Sequence, residues 1–310
     1  MNGFPCFERT KGRSVFNLSL FFALILAVSL IHVSPLEAQR VFVDELDRKV
    51  VVPDVPRRIV SLAPNITEIL YALNLGGRIV GVTRFSDYPE EAKQKPKVGT
   101  YVNFNIEKIV ALKPDLIIAT YGGNPKAAVL RLEKLGFPVY VTKAKTVKDV
   151  LNVIEDIGTV TDTRERATAI VNRLKKRIKG VTDRVRNAPR PLVFLQINAK
   201  PLMTVGAGSF HNQIIDLAGG RNLAEGSSVR YPRYSIEDVL QRGPDYILIS
   251  TMDRSDLFEQ QKADWMRWQD IPAVRNDRIC FIDSDLIDRA SPRIVDGLEE
   301  MARLIHPELF

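Results

Sequence analysis

The chain has 310 residues, 45% of them apolar and 26% charged, a composition that fits a folded protein with room for two cores and excludes extensive disorder. Its net charge of +7 does not point to nucleic acid. Ten of the basic residues, from Arg164 to Arg190, fall on one predicted helix and its exit, where they read as a solvated face.

Residues 1–38 differ from the rest. Arg9, Lys11 and Arg13 precede an uncharged run from Val15 to Val33, and Pro35 and Ala38 follow it. This is the layout of an export signal peptide cleaved after Ala38; because the run is just long enough to span a bilayer, an uncleaved anchor is the alternative. Either way the folded part lies outside the cytoplasm. Cys6 precedes the apolar run, which argues against a lipid-anchored form. Loss of residues 1–38 removes three basic and two acidic residues and leaves +6. Cys280 is then the single thiol, expected to be buried and structural, and no intrachain disulfide can form.

Residues 39–56 are expected to form a β-hairpin, because VFVDELDRKVVV alternates and turns at Leu46 to Arg48. An α/β lobe follows over 57–160. Arg58 to Leu62 reads as a strand and Asn65 to Leu73 as a helix, with Asn65 and Glu68 spaced as a capping box and Gly76-Gly77 closing the region. Further strands are expected at Ile79 to Val82, Asp115 to Thr120 and Val139 to Thr142, with helices between them, which is a parallel α/β pattern. Over 161–188, Ala167, Ile170, Leu174, Ile178, Val181 and Val185 recur every three or four residues and predict one amphipathic helix, on the order of 35–40 Å long, connecting two lobes. Residues 189–310 repeat the alternation, with strands at Pro191 to Ile197, Tyr246 to Ile249 and Arg278 to Ile282 and a last helix from Pro292 to Ile305.

An internal repeat supports two similar lobes. NIEKIVALKPDLIIAT, residues 105–120, aligns without a gap to SIEDVLQRGPDYILIS, residues 235–250. The copies are identical at Ile106/Ile236, Glu107/Glu237, Pro114/Pro244, Asp115/Asp245 and Ile117/Ile247. Each reads as an N-capping Asn or Ser, a short helix, a Pro-Asp turn and an apolar strand.

Motifs for catalysis are missing. Neither a GxxxxGK[ST] phosphate loop nor a GxSxG elbow occurs, and His211 and His306, the two histidines beyond residue 38, are nearly a hundred residues apart. No catalytic residue, metal site or catalytic cofactor is expected, and an exported enzyme or a sensor is the reading left from a different class. The loops that follow strands carry aromatic and polar residues together: Arg84 to Pro89, Gly99 to Tyr101, Tyr121 to Asn124, Met203, Val229 to Pro232 and Asp285 to Arg289. At the strand ends of two α/β sheets, such loops suit a large, flat, partly apolar ligand, although each aromatic taken alone reads equally as packing on its own lobe.

The segments VPRRIVSLAP at 55–64 with Asn65 and Glu68, FSDYPEEA at 85–92, NIEKIVALKPDLIIATYGGN at 105–124, FHNQIIDLAGGRN at 210–222 and DRASPRI at 288–294 resemble a known family. It is that of the periplasmic substrate-binding proteins serving ABC importers of cobalamin, haem and iron-siderophores, and the resemblance is closest to its cobalamin binders. It implies two Rossmann-like lobes with central parallel sheets, joined by one long helix, and a corrinoid in the cleft between them. The ligand contacts it implies are Phe85, Tyr101, Tyr231, Thr120 or Tyr121, Met203, Asp285 and Arg289. Several tryptophans of the cobalamin binders are Tyr, Thr or Leu here, and Ala218 stands where one disulfide partner would be. Haem or an iron-siderophore is the alternative ligand, since tyrosine also ligates haem iron.

The same resemblance implies that Glu107 and Glu237 dock against arginines of the permease, which works with its ATPase. A simpler role for these carboxylates is to sit well in a first helical turn, worth ~0.3–1 kcal/mol each. A monomer is expected.

Overall fold

The structure, a computed structural model, describes residues 38–251 and 255–310 together with Met1 and Gly3. The expected export segment and Cys6 lie outside the described residues. Residues 39–310 form one compact unit.

The hairpin forms where alternation places it. β1 (Gln39–Val43) pairs antiparallel with β2 (Lys49–Pro53), burying Val50 and Val52 on one face and exposing Val41, Val43 and Val51 on the other. Asp44 builds the turn by accepting from the Leu46 and Arg48 amides at 3.0 and 3.1 Å. It also accepts from Val141 N–H at 3.2 Å and so fastens the hairpin to the first lobe.

That lobe holds β3 (Ile59–Ser61), β4 (Ile79–Val82), β5 (Leu116–Thr120) and β6 (Val139–Thr142), all parallel, in the order β4-β3-β5-β6. The second lobe begins with β7 (Leu192–Gln196), continues through a small hairpin of β8 (Asn198–Ala199) and β9 (Leu202–Met203), and adds β10 (Arg221–Asn222), β11 (Tyr246–Thr251) and β12 (Ile279–Asp283). Its parallel sheet runs β10-β7-β11-β12. In both lobes the spatial order is second, first, third, fourth strand, so the internal repeat reflects a repeated topology.

Each repeat copy supplies a helix and the third strand: α2 (Ile106–Ala111) with β5, and α7 (Ile236–Arg242) with β11. The shared aspartates are structural. Asp115 accepts from the Arg57 and Arg58 amides at 2.7 and 2.9 Å, and Asp245 accepts from the Leu192 amide at 2.7 Å, so each ties the start of the third strand to the start of the first. The turn between helix and strand needs a left-handed residue in both copies, supplied by Lys113 at φ 46° and Gly243 at φ 56°.

The other helices are α1 (Pro64–Ala72), α3 (Lys126–Lys134), α4 (Val147–Val160), α5 (Arg164–Val185), α6 (Phe210–Leu217), α8 (Ser255–Trp265), α9 (Pro272–Arg275), α10 (Ser284–Ile287) and α11 (Ile294–Ile305). One expectation fails at α1. Pro64 starts the helix and Ala63 is its N-cap, with no side-chain cap. Asn65 and Glu68 therefore lie inside the helix and are not a capping box; both reach toward the second lobe, Asn65 Nδ2 lying 3.4 Å from the Ala290 carbonyl.

α5 is the predicted connector, 22 residues and about 33 Å long. It is packed along its length. Arg166 Nε donates to the Ala72 carbonyl at 2.8 Å in the first lobe, and Arg177 bridges Asp296 at 2.6 Å and Glu299 at 2.8 Å on α11 in the second. The expectation of two cores is corrected accordingly. One buried cluster runs unbroken from Ile59, Ile66 and Ile69 through α4 and α5 to Leu298, Met301 and Ile305, and each lobe adds a smaller cluster on its outer face. Strand alternation creates this division, since Leu116 and Ile118 face the shared core while Ile117 and Ala119 face outward.

Candidate ligand cleft between the lobes

The C-terminal ends of both sheets carry the candidate ligand loops. Phe85, Tyr101 and Tyr121 are exposed on the first lobe and Tyr231 on the second; Thr120 and Met203 are half-buried at the ends of β5 and β9.

These side chains rest on a built frame. Asn124 Oδ1 accepts from the Thr120 amide at 2.7 Å, while Nδ2 donates to the carbonyls of Leu62 at 2.9 Å and Tyr101 at 2.7 Å. One amide thus joins the ends of β3 and β5 to the tyrosine loop. Gly123 lies against the Tyr101 ring, and a Cβ there would stand 3.2 Å from Tyr101 Cδ2 and 2.9 Å from Thr120 Cγ2. Below Phe85, hydroxyls form a buried chain, Ser61 to Thr67 at 2.8 Å, Thr67 to Ser86 at 2.9 Å and Thr83 to Ser86 at 2.9 Å.

On the second lobe Tyr231 stands edge-on to His211, with ring centroids 6.2 Å apart. His211 is buried, stacks on Phe210 at 4.1 Å and shares a 2.7 Å hydrogen bond through Nε2 with Asp288 Oδ1. Burial pushes the Tyr231 phenol up from its ordinary value; Arg230 opposes this, while Asp288 and Tyr101 add to it.

Asp285 and Arg289 are placed differently from the aromatics. Arg289 Nη1 is 3.0 Å from Glu68 and 2.8 Å from Asp87, both on the first lobe, and Nη2 is 2.8 Å from Asp285. Ser291 Oγ donates to the second Glu68 oxygen at 2.6 Å, and the Arg293 guanidinium lies 4.0 Å over the Tyr88 ring. Burial pushes the Glu68 carboxyl up, against the Ser291 hydroxyl and the two arginines. At Asp87 burial is opposed by the Arg289 guanidinium, a backbone N–H and Lys93, which together hold the carboxyl down. Arg289 and Asp285 are thus joined in a polar cluster that ties the lobes together at the edge of the cleft. Glu68, Asp87, His211 and Asn124 were not assigned these roles from sequence; the signals were the inclusion of Glu68 and Arg293 in the resemblance segments and the scarcity of histidine.

A cavity of about 910 Å³ lies beside the polar cluster, bounded by Tyr71, Tyr88, Lys95 and Arg293.

Glu107 and Glu237 are exposed second residues of α2 and α7. Neither is a cap. Asn105 caps α2 by accepting from Lys108 N–H at 2.8 Å, and Ser235 with Asp238 forms a reciprocal capping box on α7. Glu107 has Arg131 at 3.9 Å.

Comparison with known proteins gives consistent results. The model of the family described as "Periplasmic binding protein" matches residues 59–286. A vitamin B12-binding protein of Vibrio vulnificus is 34% identical over 245 residues, covering 79% of this chain and 88% of that protein. The crystal structure of the periplasmic vitamin B12-binding protein BtuF of Vibrio cholerae superposes with a TM-score of 0.72 at 33% identity, over 81% of this chain and 97% of that one. A periplasmic haem-binding protein from Pseudomonas aeruginosa superposes with a TM-score of 0.74 at 25% identity, over 83% of this chain and 95% of that one.

Proposed function

The chain belongs to the periplasmic binding protein family, and on that premise we propose that it captures cobalamin or a related corrinoid between its lobes and delivers it to the permease and ATPase of an ABC importer. The observation that carries this reading is the pair Tyr101 and Tyr231, exposed on opposite lobes and each held by a frame of its own. A corrin ring offers two apolar faces and a polar periphery. Tyrosine faces supply contact area at low entropic cost, and Phe85, Thr120, Tyr121 and Met203 extend that surface. Asp285 and Arg289 meet the polar periphery from the interlobe cluster. No bond is made or broken, so the protein works as a carrier, as a monomer in the periplasm.

Glu107 and Glu237 form the second functional surface. The capping of α2 and α7 is done by other residues, and these exposed carboxylates, Glu107 with Arg131 at 3.9 Å, orient the two lobes on a cationic permease, where exposed charge acts chiefly on encounter and register.

Haem is the second reading, favoured by the tyrosines and by the fold of the haem-binding relative. Equilibrium titration with cyanocobalamin, cobinamide and haemin tests the choice: the corrinoids bind, and haemin gives no tyrosinate-iron absorption band. Tight haemin binding without a corrinoid signal refutes the corrinoid assignment.

A further inference from the structure

We propose that a pocket formed by α4, α5 and α6 is a second ligand site, separate from the cleft, which takes an amphipathic monoanion: a carboxylate on a short alkyl body. The pocket has a volume of about 520 Å³, within the range of small-molecule sites. Its floor is apolar, made by Val147 and Leu151 of α4, Ile178 of α5 and Leu217 of α6, all part of or packed on the shared core. Its rim carries Lys148, Lys175 and Lys179.

The charges around it are unbalanced. Asp216 is the one acidic residue lining the pocket, and it is paired with Arg190. Lys175 has Glu155 only at 3.9 Å, Lys179 pairs with Asp183, and Lys148 has no ion pair among the described residues. Lys148 is the second residue of the 14-residue α4, whose N-terminus is closed by the Thr146–Asp149 capping box, so the charge offered to the pocket is that of the lysines.

A purely solvated face would not combine these features. Lys175, Ile178, Lys179 and Thr182 have the spacing of one stripe on α5, which leaves Ile178 half-buried between cations and open to the pocket. An inorganic anion would leave the apolar floor wet, and a neutral hydrocarbon would leave the lysines unanswered. An alkyl carboxylate answers both.

The position gives the site a consequence. α4 belongs to the first lobe and α6 to the second, and next to the pocket Gln213 Oε1 accepts from the Val147 amide at 3.0 Å across the lobes. An occupant touches both lobes and the connector, and so favours the arrangement in which that bond is made.

Calorimetric titration of the full chain with octanoate, octanol and acetate separates the two parts of the recognition. Octanoate binds, and octanol and acetate bind at least about tenfold more weakly. Joint Lys148→Gln and Lys175→Gln substitution weakens octanoate about tenfold, and Ile178→Trp, which fills the pocket without changing charge, abolishes binding. Both variants keep cyanocobalamin affinity within about twofold of the unmodified chain, because neither touches the cleft. The proposal is overturned if octanoate does not bind, if octanol binds as well as octanoate, or if octanoate binding is unchanged in the two variants.

Discussion

Arg289 and Glu68, 221 residues apart in sequence, meet across the lobes with Nη1 3.0 Å from Oε1, and both side chains are withdrawn from solvent, Glu68 to 4% exposure. Arg293 shares the same carboxylate at 3.5 Å. Glu68→Ala removes the carboxylate nearest Arg293 and one of the three that face Arg289, and is expected to cost about 1.5–3 kcal/mol in urea denaturation. A loss below ~1 kcal/mol, the size of a surface pair, contradicts the buried-cluster account.

Asp156 on α4 sets a pH dependence. Burial first, and then the neighbouring Glu45 carboxyl, push Asp156 from 3.8 up to about 6. Between those values the native state binds more protons than the unfolded chain, so stability contributed by this group falls as pH rises through the window and is lowest above it. Asp156→Asn is expected to stabilise the protein by ~1–2 kcal/mol near pH 7 and to change little below pH 4. Thermal denaturation at the two pH values checks this; an equal effect at both argues against it.

Asp115 and Asp245 do the same work in the two lobes. Each substitution to Ala removes hydrogen bonds to the first strand and is expected to cost about 1–2 kcal/mol. Because the sites are in different sheets, the double variant should show the sum to within ~0.5 kcal/mol in chemical denaturation. A larger shortfall would mean that the sheets do not unfold as one unit.

The repeat made these equivalences readable before any coordinates. Strand periodicity located both sheets, and the spacing from Ala167 to Val185 located the connector, because apolar period reports local structure directly. The interlobe chemistry was not readable in the same way. Glu68 three residues after Asn65 has the form of a capping box, and only the entry of Pro64 into the helix turns that carboxylate toward Arg289 and Ser291. The shared core escaped for a related reason: periodicity shows that a face is buried, and not against which lobe. At the cleft, sequence indicated Tyr101 and Tyr231 but not the Asn124 amide or the His211–Asp288 pair that hold the loops, since hydrogen bonds over long separations leave no local pattern.

Glu107 and Glu237 separate binding from transport. Joint Glu107→Arg and Glu237→Arg substitution should leave cyanocobalamin affinity within about twofold, because neither side chain is among the candidate ligand contacts, and should abolish uptake in cells that depend on this chain. Undiminished uptake by the double variant contradicts the docking role.

The central claim is that a corrinoid lies between Tyr101 and Tyr231, and the most direct measurement is the equilibrium affinity for cyanocobalamin of the unmodified chain and of the Tyr101→Ala, Tyr231→Ala double variant. Loss of two stacked aromatic faces is expected to weaken binding about 100-fold, with urea denaturation shifted by no more than ~0.5 kcal/mol per exposed site. Undiminished affinity in the double variant, or no cyanocobalamin binding by the unmodified chain, would contradict it.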